Sequence, residues 1–487
     1  LKQKPKQEQD QGTEPCAPSR PLNPIGLLQR TLPMNRLLPW LVAASLAGCG
    51  ETALLNVSEG SGPTPELPAP VTTLIPTVNI APAVGWPKGG KPTAAPGTQV
   101  TAFASGLDHP RWLYLLPNGD VLIAETNAPP KPEDGKGIRG WAMGKAMKRA
   151  GATAPSANRI TLLRDADHDG VAEIRTPFIE GLNSPFGMTL VGKNLYVADT
   201  DRLLRFHYEP GAMQITEKGH LVTELPGGPL NHHWTKNVIA SPNGQKLYVT
   251  VGSNSNVGEN GLDKEQSRAA IWEVNPASGN HRLFATGLRN PNGMAWEPRS
   301  GALWTAVNER DEIGSDLVPD YITSVKEGGF YGWPYSYYGQ HVDERVQPQA
   351  PQKVAQALTP DYAVGPHTAS LGLAFLEPGV LPAPFEQGAL IGQHGSWNRK
   401  PHSGYKVIFV PFDHSGKPAG PPIDLLTGFL DREDNAMGRP VGVINDGRSG
   451  VLVADDVGNV VWRVSMTARA RLNQGTAAQT RPNSSPE

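Results

Sequence analysis

One unit recurs six times along this chain: an apolar strand, a turn of proline, asparagine or glycine, and a second strand rich in β-branched and aromatic residues. The copies are Arg111–Glu125 (RWLYLLPNGDVLIAE), Pro185–Asp199 (PFGMTLVGKNLYVAD), Asn237–Gly252 (NVIASPNGQKLYVTVG), Pro291–Val307 (PNGMAWEPRSGALWTAV), Leu371–Gly392 (LGLAFLEPGVLPAPFEQGALIG) and Pro440–Asp455 (PVGVINDGRSGVLVAD). Asn-Gly between alternating apolar residues is a strong hairpin signal, because that pair accepts the positive φ values a tight turn imposes. A third strand is readable after five copies, at Asn158–Leu163, Arg202–Tyr208, Ala270–Asn275, Tyr405–Phe412 and Val460–Val464. The hairpin centres Ile123, Val197, Val249, Trp304, Ile391 and Val453 stand 52 to 87 residues apart. A compact four-stranded blade uses about 40–45 residues, so loops are inserted between the units. Sheets set radially leave only short, protected edges. The expected fold is all-β, a six-bladed β-propeller; paired β-sandwiches would not explain six similar hairpins. The 54 glycines and 48 prolines among 487 residues fit many short strands and argue against a helical bundle. One helix is expected at Trp141–Ala150, inside an insertion.

Charge narrows the function classes. Lys+Arg is 44 against Asp+Glu 46, a net charge of −2, which gives no support to a nucleic-acid partner. A hydrophobic fraction of 38% is enough for a large core.

The N-terminal part reads as an address. Met34-Asn35-Arg36 is a short basic start, Leu37–Ala47 is apolar and small, and Leu46-Ala47-Gly48-Cys49 closes it like a bacterial lipobox. Cys49 is the expected lipidation site, and a lipid anchor on the periplasmic face of a bacterial membrane is the expected location. Residues 1–33, which include Cys16, are expected to be a non-native extension before a signal peptide at 34–49. Residues 50–70 are Pro-rich and read as a linker. The propeller is expected over 71–468 and a disordered tail over 469–487.

Loops at one end of a propeller converge on its axis, so residues just outside the strands are the functional candidates. In Asn231-His232-His233-Trp234 the two imidazoles point opposite ways on an extended chain, so one of them faces a site. With no third ligand nearby, zinc is disfavoured; a base and a hydrogen-bonded loop histidine remain open. Gly287-Leu288-Arg289-Asn290-Pro291-Asn292-Gly293 offers Arg and Asn to an anionic or carbonyl-rich ligand, or stabilises a turn. Asn308-Glu309-Arg310-Asp311-Glu312-Ile313 offers oxygens suited to calcium, or is a solvated loop. Asp165-Ala166-Asp167-His168-Asp169-Gly170 matches the opening of a calcium loop, with Glu173 able to close a shorter site and Thr176 where an EF-hand has Glu; an Asx-rich turn is the alternative.

Taken in order, the His segment running into PNGQKLYVTVG, then GLRNPNGMAW, DEI and GGFYGWP resemble the soluble glucose dehydrogenase / L-sorbosone dehydrogenase family, over roughly Thr101 to Val464. GLDHPRWLYLLPNGDVLIAETN and SANRITLLRDADHDGVAE look closest to the sorbosone-type branch. The resemblance implies a six-bladed propeller carrying pyrroloquinoline quinone (PQQ) and Ca2+. It implies a dehydrogenase for a sugar or sugar aldehyde, with His233 as general base and Arg289 stabilising charge on the quinone. Arg289, Asn290 and Arg439 would contact PQQ. Carbonyls around Val307 and Asn308 would serve an active-site calcium, and Glu312 with the Tyr331 backbone a second, structural one. Ser253 stands where the family has an Asp that orients the base, and Pro185-Phe186 where the glucose enzymes have a Gln; both depart from glucose specificity. A Lys that contacts the cofactor in the family has no fixed counterpart near Trp397-Asn398-Arg399-Lys400. A cytochrome or quinone would accept the electrons. The rival readings are a calcium-dependent propeller lactonase or hydrolase and a non-enzymatic binding propeller.

Overall fold

A computed structural model describes residues 50–479 apart from 74–76, 131–143, 146–147, 152 and 377. Cys49, the signal segment and the residues before it lie outside the described residues. So does much of the expected helix Trp141–Ala150, of which 144–145 and 148–149 are helical.

Six antiparallel sheets form the six blades of a β-propeller. Their inner strands are Pro110–Leu115, Met188–Val191, Val238–Ala240, Asn290–Trp296, Ser370–Leu376 and Pro440–Asn445. Each is the first strand of one repeated hairpin, and the second strands pair with them in register, as Leu113↔Ile123 and Leu373↔Ile391 do.

Four of the six repeats carry a glycine in or just before the inner strand, and it lets those seams close tightly. A Cβ on Gly187 would lie 2.3 Å from the backbone nitrogen of Val238 in the third blade. On Gly293 it would lie 2.6 Å from the Leu371 carbonyl oxygen in the fifth, and on Gly372 2.3 Å from that of Val441 in the sixth. On Gly442 it would lie 2.8 Å from that of Arg111 in the first. Inner strands of successive blades therefore touch backbone to backbone, where no side chain fits. The remaining seams use side chains: Tyr114 Oη accepts from the Leu190 N–H at 3.0 Å, and Asn237 Nδ2 donates to the Asn292 carbonyl at 3.0 Å.

The ring closes by exchange between the chain's two ends. The strand Thr98–Ser105 forms the outer edge of the last blade, paired with Val460–Met466 over Val460↔Ser105 to Met466↔Thr98. Apolar side chains fill the spaces between blades; Phe103, Leu113, Ile123, Leu163, Leu452 and Val461 form one such layer between the last blade and the first.

The ends differ from expectation. Residues 50–70, read as a linker, lie against the propeller: Ser61–Gly62 pairs with Val364 and Ala363, and Asp316 accepts from the Leu54 N–H at 2.6 Å. Proline removes backbone donors but leaves carbonyls and apolar rings to dock, so a Pro-rich composition does not by itself mean a solvated chain. Residues 469–479, read as disordered tail, belong to the helix Ala468–Gln479.

Candidate functional site

The chain reaches each inner strand through a polar loop, and these loops meet at the axial mouth. His233 lies just before the third blade. Its Nδ1 is 2.8 Å from the Ser253 carbonyl oxygen and 3.0 Å from Ser253 Oγ, and the Ser253 hydroxyl donates to the Ser255 carbonyl at 2.7 Å. Both Ser253 oxygens therefore face the ring as acceptors. Nδ1 carries the proton, and Nε2 keeps its lone pair. Burial and then the charge of Arg289 hold His233 well below the ordinary imidazole pKa, so it is neutral at pH 7. Gly252 admits this approach, since a Cβ there would lie 2.5 Å from both the His233 Cβ and Asn290 Oδ1. Beneath the loop, buried Lys236 donates to the carbonyls of Trp234 and His233 at 3.2 and 3.3 Å.

Arg289 is buried and its guanidinium is fully engaged. It donates to the Asn256 carbonyl and side chain at 3.1 and 2.9 Å, to the Asn308 and Glu309 carbonyls at 3.4 and 2.6 Å, and to Asp311 at 3.3 Å. Asp311 also meets His367 at 3.3 Å and accepts from Asn398 Nδ2 at 2.7 Å. Burial acts to raise the Asp311 carboxyl, but the His367 hydrogen bond and the charge of Arg289 outweigh it and hold it at about 2. Arg289 thus acts on the site as a fixed charge that shapes the 308–311 turn, not as a source of spare donors. Asn290 Nδ2 reaches Asn308 Oδ1 at 3.4 Å.

A second cluster completes the mouth. Asp456 Oδ2 accepts from Arg111 Nη1 at 2.9 Å, and the ring nitrogens of His394 and His109 lie 2.8 and 3.5 Å from it. Arg439 spans from the Ala81 carbonyl, at 3.1 Å, to the face of Tyr405, 5.1 Å away. Burial, opposed by Asp456, lowers His109 and brings His394 to about 4, so both imidazoles are neutral at pH 7. Arg111 is ion-paired with Asp456, and Arg439 has no ion-pair partner among the described residues. The Nε atoms of Arg111 and Arg439 are buried without a hydrogen-bond partner. The Arg111 guanidinium sits 5.7 Å over the Trp234 ring, which joins this cluster to His233.

Of the residues singled out from the sequence, His233, Arg289, Asn290, Asn308 and Arg439 come to this mouth. Val307 is fully buried in the core, between ladder partners Pro291 and Tyr321. The Asn308 carbonyl accepts from Arg289 at 3.4 Å, which leaves its second lone pair for a cation. Glu312 instead pairs with Arg345 at 2.6 Å. Tyr331 is buried, its N–H on the Thr286 carbonyl at 2.9 Å and its hydroxyl on the Ser324 carbonyl at 2.7 Å. Asp165, Asp167 and Asp169 gather with Glu173 at a blade loop. Reading from sequence missed His109, Arg111, His394, Asp456, His367 and Lys236, and it offered Asp311 only as one of several oxygens suited to calcium. Their shared signal is position, each lying beside the start of an inner strand or the end of a second strand.

Guanidiniums with orphaned donors and a neutral imidazole meet at this mouth, groups that could hold an anionic ligand. Comparison with known proteins gives the lineage. A family profile described as TrAA12-like matches residues 92–322 and 340–467, and the chain belongs to that family of six-bladed propellers. It is 23% identical over 429 residues to the pyrroloquinoline quinone-dependent pyranose dehydrogenase of Coprinopsis cinerea, covering 75% of this chain and 53% of the relative. The chain thus spans about half the length of that protein. The PQQ domain of the same fungal enzyme, in its holo form, superposes with a TM-score of 0.62 at 21% identity over 80% of this chain and 100% of that one. The Trichoderma reesei AA12 protein, in its calcium structure, gives 0.61 at 16% identity over 81% and 100%. The aldose sugar dehydrogenase YliI of Escherichia coli is 23% identical over 319 residues, 61% of this chain and 79% of that protein. The homology to PQQ-dependent sugar dehydrogenases is distant, and the structural likeness is one of fold.

Proposed function

We propose that this protein is a PQQ-dependent oxidoreductase that oxidises a sugar or sugar aldehyde, of sorbosone or aldose type. The observation that carries the reading is the axial mouth itself: Arg111, with an orphaned buried Nε–H donor, lies over Trp234 next to His233, whose Nδ1 is held by Ser253, and Arg439 carries a second orphaned Nε–H donor. PQQ carries carboxylates and fits this surplus of donors. When bound, it supplies the electrophilic quinone that takes up the hydride.

The chain's own work is then positional and protolytic. Arg111 and Arg439 would hold the cofactor's carboxylates through charge-assisted hydrogen bonds. His233 Nε2 accepts the proton of the substrate hydroxyl. Ser253 fixes the tautomer that makes this available, and Arg289 keeps the ring neutral by its nearby charge. The relatives' names support a sugar as substrate. We place the protein on the periplasmic face of a bacterial membrane, anchored through Cys49, with a cytochrome or quinone as electron acceptor; the lipobox-like LAGC supports this.

Purified protein loaded with PQQ should reduce an artificial dye with an aldose or sorbosone. In His233→Ala, turnover should fall by at least about 10²-fold, the lower end of what general base catalysis supplies, while PQQ still binds. Full turnover in that variant would contradict the role of His233. Absence of dye reduction across aldoses, pyranoses and sorbosone, with PQQ bound, would contradict the activity.

A further inference from the structure

Away from the mouth, the loop between the third and fourth strands of the first blade carries four carboxylates. One oxygen from each of Asp165, Asp167, Asp169 and Glu173 lies within 4.8 Å of every other. Two oxygens on opposite sides of one calcium ion, each at about 2.4 Å, are separated by about that distance. All four therefore fit a single coordination shell. Asp167, Asp169 and Glu173 are exposed, and among the described residues none has an ion-pair partner.

An acidic cluster alone would mean little, but Asp165 adds an independent fact. It is 6% exposed, Arg448 Nη1 and the Gly170 N–H donate to its Oδ2 at 2.8 and 3.1 Å, and its Oδ1 is buried with no partner. A carboxylate oxygen taken out of water without a donor is costly unless a cation completes it.

The loop's neighbours say what such a cation would do. Arg448 belongs to the hairpin turn of the last blade. The Ala172 N–H donates to the Phe103 carbonyl, on the strand that closes the ring, at 2.8 Å. Gly170 packs beside Arg463 of the last blade, whose Nη1 would lie 3.0 Å from a Cβ at that position. The acidic loop sits on the seam where the first and last blades meet.

We propose that the loop 165–173 binds one calcium ion, which ties the closing seam of the propeller and is separate from the axial mouth. Four carboxylates and no nitrogen or sulfur donor suit a hard cation with flexible oxygen coordination. An ion bound only by the folded ring stabilises it by mass action.

The test uses the full chain without PQQ, so its outcome is independent of the proposed redox activity. Calcium is titrated into chelator-treated protein by calorimetry, and the thermal midpoint is followed by circular dichroism. At about 5 mM Ca2+, above the range of extracellular-type sites, the midpoint should rise by about 1–3 °C. In Asp167→Asn/Asp169→Asn the rise should vanish and one calcium per chain should be lost. Asn keeps the loop's side-chain acceptors, and Asp165 is left in place because its loss would strand Arg448. Should the double variant not fold, Glu173→Gln carries the same reading through an affinity lowered by about tenfold. Hydrogen exchange should show calcium-dependent protection in Thr98–Ser105 and the 165–173 loop. No calcium-dependent midpoint in the wild type, an unchanged calcium count in the folded variant, or protection confined to the mouth would each overturn the proposal.

Discussion

Ser253 meets His233 through a hydroxyl and a carbonyl, at the position where the family resemblance implies a carboxylate. It leaves His233 oriented but without a counter-ion. Replacing it tests that difference: in Ser253→Asp a carboxylate beside Nδ1 favours the imidazolium, so the pKa of His233 rises. The acid limb of kcat/KM should then move to higher pH than in the wild type. A limb that stays in place would mean that His233 is not the group titrating. Glu309 supplies a second test at this scale. Burial, opposed by Arg289, raises its carboxyl from 4.5 to about 8. The folded state therefore binds more protons than the unfolded state across that window, and the stability this group contributes falls as pH rises through it. Glu309→Gln should flatten the pH dependence of the thermal midpoint between those limits; an unchanged slope would assign it to other groups. The two halves of the site differ in how far they could be read from sequence. His233, Arg289 and Asn290 lie in compact motifs with recognisable spacing. The cluster on Asp456 draws Arg111 from 345 residues away and His394 from 62, and no local pattern announces that meeting. Both residues stood in view in DHPRW and QHGSW, but only the closed ring makes them neighbours.

At the scale of the strand, the hairpins were legible because alternation and Asn-Gly turns are local. The first two strands of each blade fall inside the repeated units. Outer strands such as His220–Glu224 and Ile174–Ile179 carry exposed and half-buried residues and give a weak apolar signal. The strand Thr98–Ser105 was hidden for another reason, since its partner Val460–Met466 comes from the far end of the chain. The glycine of the inner strand is the element's most exacting residue. In Gly372→Ala the new methyl group would meet the Val441 carbonyl, backbone against backbone, with no flexible side chain to yield. The expected loss is about 1–3 kcal/mol, measured by denaturant unfolding, from overpacking of a seam that cannot relax. A neutral result would mean that the blades separate more easily than the packing implies.

For the whole molecule, the ring brings side chains from five of the six blades to one mouth. The residues that precede it in sequence dress its rim, as the Ala81 carbonyl does on Arg439. Composition marked residues 50–70 as spacer because it records proline and not docking; their partners, Asp316, Lys400 and Ala363, are distant in sequence. No described helix is long and apolar enough to cross a membrane. The central claim is that this mouth holds PQQ beside a neutral His233 that takes a hydroxyl proton. Stopped-flow mixing of PQQ-loaded protein with an aldose or sorbosone tests it most directly. The quinone absorbance should be lost in a single turnover in the wild type and persist in His233→Ala with PQQ still bound. Equal bleaching in both proteins would contradict the account.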